Sequence, residues 1–113
     1  MNILKERRAF HRWLLLNEMN TSSIALWHAL AEINNELGRK RTFNVPNSTL
    51  MTLTGLSKPG LINARETLVE KQFIHYEKGK RGHAPMYEII SLVNSLDPTM
   101  YQSVYQSLNQ SYP

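Results

Sequence analysis

The residues best suited to chemistry are four cations at the tip of a predicted β-hairpin. They are Lys78, Lys80, Arg81 and His83. Gly79 and Gly82 lie among them and supply the permissive backbone angles that a hairpin tip needs. Cations on such a tip can contact phosphate groups or enter a minor groove. The segment predicts a nucleic-acid contact, and the alternative is a charged tip that keeps the hairpin soluble.

A second set of candidate residues lies on a helix predicted to begin at Ser57. Its members do not face the predicted core and are Ser57, Lys58, Gly60, Ile62, Asn63 and Thr67. Lys58 can reach a phosphate, Asn63 can pair bidentately with adenine, and Ile62 can touch a thymine methyl group. Glu66 repels phosphate unless it accepts from a cytosine amine. The alternatives are a solvated face or, for Ile62, a protein interface.

A third candidate is the start of the preceding short helix, at Asn47 and Ser48. Free backbone N–H groups at a helix start can hold a phosphate. The same residue types also serve as helix caps, which is the alternative interpretation. The sequence leaves both open.

No pattern of catalytic or metal-binding residues accompanies these sets. The four histidines are not spaced as metal ligands, and the chain has no cysteine for a thiolate site or a disulfide. No pair of carboxylates stands out on an apolar background for acid–base work. The sequence therefore predicts a protein that is not an enzyme and that holds no metal or cofactor.

The elements that must position these residues follow from apolar spacing and turn chemistry. Short helices are predicted over 46–54 and 57–72, with a tight turn at Gly55 and Leu56 filling the gap between them. A very short strand over 43–45 precedes them, and a hairpin over 74–90 follows. This order is typical of a winged helix-turn-helix. The alternative is an ordinary helical hairpin.

The N-terminal part predicts two more helices, over 8–17 and 23–37, the second ending at Gly38. The first helix carries four apolar residues, Phe10, Trp13, Leu14 and Leu16. That is more apolar surface than a terminal helix on a small domain needs, so it predicts packing on a second subunit in a homodimer. The alternative is a helix that folds back on its own core.

The chain of 113 residues is long enough for one domain. The predicted fold class is α+β, a winged helix-turn-helix with a three-helix core, a β-hairpin wing and an additional N-terminal helix. We assign residues 1–20 to an N-terminal extension, 21–92 to the winged domain and 93–113 to a polar tail. In that tail, Tyr101 and Tyr105 have the spacing of a weak helix.

Net charge and hydropathy limit the kinds of partner that the chain can have. Thirteen Lys and Arg against nine Asp and Glu leave a net charge of +4, which permits a nucleic-acid partner without demanding one. Residues 1–12 lack the apolar run of a secretory signal, and the longest apolar run, Trp13–Leu16, is too short to span a bilayer. We expect a cytoplasmic protein without membrane contact.

Several segments together resemble a known family. They are Phe10-x-x-Trp13, Ser23-Ile-Ala-Leu-Trp-His-Ala-Leu30, Ile33-Asn-Asn35, Phe43-Asn-Val-Pro-Asn-Ser-Thr-Leu50, Thr54-Gly-Leu-Ser-Lys58, Ala64-Arg65 and Tyr87-Glu-Ile-Ile90. Over about residues 8–92 the chain resembles the N-terminal domain of DnaD-like replication initiators, many of them phage and prophage replisome organisers of Gram-positive bacteria. The Ser-Ile-Ala-Leu-Trp and Ile-Asn-Asn segments make the resemblance specific.

The resemblance implies a winged helix that binds double-stranded origin DNA, self-associates, or does both, inside a bacterial host cell. Such proteins help to load the replicative helicase, usually through a second helical domain that this chain lacks. Partners among helicase-loading proteins are therefore expected only through that domain. Two alternatives remain: a winged-helix transcriptional repressor, which differs only in its DNA target, and an oligomerisation scaffold that never touches DNA.

Overall fold

The computed structural model describes residues 2–93 of the chain. Its elements in chain order are α1 Ile3–Leu16, α2 Thr21–Glu36, β1 Phe43–Asn44, α3 Asn47–Thr54, α4 Lys58–Glu70, β2 Ile74–Glu77 and β3 Met86–Ile89. The fold is therefore α+β, with four helices and a small three-stranded antiparallel sheet. This arrangement is compatible with a winged-helix-like fold. The predicted helices and hairpin are confirmed, with shifts at their ends.

Helix starts follow the capping residues in the sequence. The side chain of Asn20 accepts a hydrogen bond from the Ser23 N–H at 2.8 Å and so begins α2. Asn2 does the same for α1 through the Lys5 N–H at 3.2 Å. That second cap explains why α1 begins at Ile3 and not at residue 8, as apolar spacing alone predicted. An N-cap oxygen satisfies a backbone donor that the helix leaves unpaired.

The turn between α3 and α4 forms as predicted. Gly55 closes α3 in the left-handed conformation with φ of 74°, and its N–H donates to the Met51 carbonyl at 2.8 Å. No atom lies within 4 Å of a Cβ built on Gly55, so the backbone angle, and not space, requires glycine here. Leu56 is half-buried and packs against the core between the two helices.

The sheet has the order β1-β3-β2, so β3 is central. Tyr87 on β3 pairs with Phe43 on one side and with Tyr76 on the other. Its fully buried ring lies 6.1 Å from the Phe43 ring and 5.4 Å from the Tyr76 ring. Cross-strand aromatic pairs of this kind stabilise a small sheet.

Helix α1 belongs to the same core as the rest of the fold. The Phe10 ring is fully buried and lies 4.3 Å from Trp27 and 5.6 Å from Phe73 between ring centroids. The prediction that Phe10 contacts a second subunit is therefore wrong, because its whole surface is covered within its own chain. Helix α1 therefore folds back on its own core at Phe10, while self-association through the rest of the helix stays a prediction.

A buried carboxylate also holds α1 in place. Glu6 is 2% exposed and accepts hydrogen bonds from the Leu92 N–H at 2.9 Å and from the Ser91 hydroxyl at 2.5 Å. These bonds join the first helix to the chain that follows β3. An ion pair between Arg7 and Glu32 adds a link from α1 to α2.

Arg65, on α4, is the other buried charged residue that ties elements together. Its Nη1 donates to the Asn47 side-chain oxygen and to the Tyr87 hydroxyl, both at 2.9 Å. Its guanidinium carbon lies 4.1 Å from the centroid of the Tyr76 ring. One side chain thus joins the start of α3, the middle of α4 and both long strands.

Tyr87 is affected by this environment in two opposing ways. Desolvation raises the pKa of its phenol, while the hydrogen bond from Arg65 and the Arg65 charge lower it. Desolvation is the larger cause, so the net pKa is raised and the phenol stays neutral at physiological pH.

Residues 94–113 of the polar tail, with Tyr101 and Tyr105, lie outside the described residues. Among residues 2–93, no helix is long and apolar enough to cross a bilayer.

Replacing Arg65 should show how strongly this network stabilises the fold. We expect Arg65→Met to lower the free energy of unfolding by about 1–3 kcal/mol, because the buried Tyr87 hydroxyl loses its donor. Adding Tyr87→Phe should recover part of that loss, since the unpaired hydroxyl is then gone. Chemical denaturation of both single variants and the double variant measures the coupling, with Lys58→Met as an exposed control. Strictly additive effects would contradict a stabilising Arg65–Tyr87 bond.

Replacing Glu6 tests the link between α1 and the chain after β3. Glu6→Gln keeps the size but offers only one acceptor oxygen to two donors, so we expect a loss of about 1–3 kcal/mol in the free energy of unfolding. Glu36→Gln, at an exposed position, is the matched control. Equal denaturation midpoints for the two variants would show that the Glu6 contacts add no stability.

Candidate nucleic-acid interface

The hairpin loop, defined here as residues 78–85, presents its cations on a closed turn. The Lys80 N–H donates to the His83 carbonyl at 3.0 Å, and the His83 N–H donates back to the Lys80 carbonyl at 2.8 Å. Gly82, inside this turn, has a φ of 82°. Because backbone atoms make these bonds, the side chains of the loop remain available for a ligand.

The loop cations are exposed and unpaired. Lys78, Lys80 and Arg81 are all exposed, and their side chains make no hydrogen bond or ion pair within residues 2–93. His83 is exposed beside them. Three unpaired cations on one short loop form a concentrated positive charge that attracts phosphate groups.

Gly79 serves a different purpose from the one predicted. Its φ does not lie in the positive range, unlike that of Gly82. A Cβ at Gly79 would lie 2.9 Å from the His83 carbonyl oxygen and 3.1 Å from the Pro85 ring. The loop therefore needs glycine at this position for space, since any side chain would force the turn open.

Strand β1 holds the hairpin loop against the start of α3. The Asn44 side chain donates to the Ala84 carbonyl at 2.9 Å, and the Val45 N–H donates to the Pro85 carbonyl at 3.0 Å. Helix α3 begins two residues after Val45. Asn44 is a positioning residue that sequence reasoning missed, because its partner is 40 positions away.

At the start of α3, the interpretation of Asn47 as a helix cap is wrong. The N-cap residue is Pro46, which makes no side-chain capping bond, and the Asn47 side-chain oxygen accepts from Arg65 instead. Ser48 is exposed. The N–H groups of Asn47 and Ser48 have no partner within the described part of the chain, so they can still donate to an anion.

The start of α4 combines a cap with an exposed cation. The Ser57 hydroxyl oxygen accepts from the Gly60 N–H at 3.2 Å, which caps the helix predicted to begin at Ser57 and leaves the hydroxyl proton free to donate. A Cβ at Gly60 would lie 3.2 Å from that same oxygen, so Gly60 gives the cap its space. Lys58 is exposed immediately after the cap.

The predicted residues of α4 do not share one face. Ile62 and Thr67 are five positions apart, about 140° around a helix. Ile62 is half-buried and lies three positions before Arg65, on the same side of the helix. Thr67 instead lines a groove of about 620 Å³ beside the α1–α2 connection, and its hydroxyl donates to the Asn63 carbonyl. Thr67 therefore lies apart from Ile62 and Lys58.

Charge also divides α4 along its length. Its first half exposes Lys58 and Asn63, whereas its second half exposes Glu66 and Glu70. Carboxylates repel phosphate, so only the first half is suited to approach a nucleic acid. In helix-turn-helix proteins it is the N-terminal residues of the second helix that contact base edges.

The four residues predicted to form a subunit interface differ in how deeply they are buried. Phe10 is fully buried, and Trp13 is half-buried with its ring edge-on to Phe73 at 4.8 Å. Leu14 is half-buried against the core. Leu16 is 41% exposed, and self-association through it stays a prediction.

No metal site accompanies the interface. Within residues 2–93, no three His, Asp or Glu side chains come close enough together to hold a metal ion. His28 is exposed at the edge of the Phe10 and Trp27 rings. Burial of part of its ring, and secondarily the Arg7 charge, lower its pKa, so the imidazole is neutral at physiological pH.

Comparison with known proteins finds no match for this chain. No protein-family model, curated protein or solved structure matches the chain. The resemblance to DnaD-like initiators therefore remains a prediction from the sequence.

Proposed function

We propose that this chain is a winged-helix domain that binds double-stranded DNA. The observation that carries the proposal is the hairpin loop. It holds three unpaired cations, and β1 fixes it beside the start of α3 through Asn44 and Val45. In this proposal the first half of α4 enters the major groove, while the hairpin loop contacts the adjacent backbone or minor groove.

Phosphate contacts supply most of the proposed affinity. In this proposal the exposed Lys58, Lys80 and Arg81 make such contacts, together with Lys78 and the free N–H groups at the start of α3. Base contacts are fewer. Asn63 is exposed and can pair with adenine, and the half-buried Ile62 can touch a thymine methyl group beside it. Glu66 and Glu70 restrict contact to the first half of the helix.

The role in replication rests on the family resemblance. In this proposal the target is origin DNA, and the protein takes part in loading the replicative helicase. A repressor would make the same contacts at a promoter. Titrating the chain against its origin and against promoter DNA of its own gene region separates the two, since specific binding exceeds non-specific binding by orders of magnitude.

Removing charge from the hairpin loop tests the DNA proposal directly. Lys80→Ala with Arg81→Ala should weaken binding to all duplex sequences and reduce the slope of log K against log salt by about 2, one unit for each lost phosphate contact. The turn itself should survive, because its hydrogen bonds come from backbone atoms. Fluorescence anisotropy at several salt concentrations gives both quantities.

The matched control for this experiment is Lys5→Ala with Arg8→Ala, which removes the same charge from exposed positions of α1. The control should bind nearly as the parent does. If the loop variant keeps the affinity and salt slope of the parent, the hairpin loop has no role in binding. If loop and control variants fall equally, the effect comes from net charge alone.

Asn63 should instead affect which sequence is bound. Asn63→Ala is expected to relax the preference at one base pair and to cost about 1–3 kcal/mol at the preferred site, with little change on unrelated DNA. Selection from a random duplex pool, carried out with parent and variant, measures the preference. An unchanged preferred sequence would show that Asn63 reads no base.

A further inference from the structure

Positive charge in this chain is concentrated in two places. One is the hairpin loop, and the other is the basic turn, defined here as Arg39–Arg41 between α2 and β1. Together they hold six of the thirteen Lys and Arg residues. The other seven stand against all nine Asp and Glu residues, a net charge of −2 outside these two clusters. The second cluster has no part in the interface described above.

The basic turn is held rigidly. The side chain of Asn34, which is 2% exposed, donates to the Lys40 carbonyl at 2.7 Å, and the Arg39 N–H donates to the Asn34 carbonyl at 2.9 Å. Arg39 has a φ of 60°, a left-handed conformation that is unfavourable for a residue with a side chain. The fold therefore holds three like charges together in a strained turn.

Two of the three cations are unpaired. Arg39 and Lys40 are exposed and make no side-chain hydrogen bond or ion pair with any described residue. Arg41 has one contact, from its Nε to the Glu88 carboxylate at 3.4 Å. A pocket of about 210 Å³ lies between this turn and the end of β3. Adjacent cations with no internal partner can bind an anion without first breaking an ion pair.

The two basic clusters lie at opposite ends of the sheet. Strand β3 leaves the hairpin loop at Met86 and ends at Ile89, which lines the pocket of the basic turn. Four residues at about 3.3 Å each separate the clusters by roughly 13 Å along the strand. Loops at opposite ends of a strand extend away from each other. The basic turn therefore lies at the end of the sheet away from the hairpin loop, where its exposed side chains are open to a second duplex.

We propose that the basic turn binds the phosphate backbone of a second DNA duplex, so that one chain bridges two DNA segments. The inference rests on the proposed DNA binding and adds a second, independent contact to it. Arginine and lysine side chains in a fixed row suit a regular series of phosphates. In this proposal the turn contacts phosphates only and reads no base.

A bridging assay tests the proposal. One duplex is fixed to beads, and a second, fluorescent duplex of unrelated sequence is captured through the protein. We expect Arg39→Gln with Lys40→Gln to bind a single short duplex as the parent does, yet to capture about tenfold less of the second duplex. The loop variant Lys80→Ala with Arg81→Ala should weaken both activities. Lys5→Gln with Arg8→Gln, matched in charge to the turn variant, should lose neither.

Each other outcome decides against the proposal. Undiminished capture by the turn variant would mean that bridging, if present, arises from self-association. An equal loss with the α1 control would show a net-charge effect. A loss of single-duplex affinity in the turn variant would place both clusters on one duplex. Turn-dependent binding of poly-glutamate without DNA capture would point to an acidic protein partner.

The two proposals fail separately. If the parent chain binds no single duplex, the proposed function is wrong. If it binds one duplex through the hairpin loop but never captures a second, only the bridging inference is overturned. Circular dichroism and chemical denaturation of the turn variant confirm that it is folded, and both replaced side chains are exposed, so no loss of core packing is expected.

Discussion

The architecture depends most on a buried cation with neutral partners. Arg65 is 7% exposed and forms no salt bridge with any residue from 2 to 93. Burying a charge is costly, and here the cost is offset by hydrogen bonds to Asn47 and Tyr87 and by the face of Tyr76. Because these partners lie on α3, β3 and β2, the same bonds set how the helices sit against the sheet. The position of the hairpin loop follows from this arrangement, because the loop joins β2 to β3.

A second constraint comes from the aromatic cluster around Phe10. It makes α1 part of the core, and Glu6 joins that helix to the chain after β3. Phe10 of α1 is buried by these contacts, whereas Leu4, Leu15 and Leu16 of the same helix remain exposed. The surface also offers concentrated charge, since the hairpin loop and the basic turn hold nearly half of the Lys and Arg residues.

The candidate interface combines cations that attract phosphate with carboxylates that repel it. Lys58 and the loop cations attract phosphate, while Glu66 and Glu70 limit the contact to the first half of α4. Such a division favours a shallow approach in which the backbone supplies affinity and few bases are read. The net charge of +4 is a weak guide to this behaviour. The placement of the charges matters more than their sum.

The sequence by itself determined the local features, because their causes lie within a few residues. The helix start at Ser57, the glycine turn at Gly55 and the order of helices and strands all follow from short-range backbone chemistry. It also located the cationic hairpin. Contacts between distant segments could not be read in this way. Glu6 meets Leu92 across 86 positions, and no spacing pattern indicates such a pair.

Only the tertiary structure decided which side chains are buried and paired inside the fold and which remain exposed for a partner. Arg65 lies on the same helical stripe as Leu61 and Leu68, and its hydrogen-bond partners Asn47 and Tyr87 come from other elements. Phe10 was a surface candidate until Trp27 and Phe73 were seen to enclose it. Burial and pairing depend on the packing of whole elements, and that packing is a property of the folded chain and not of any one segment.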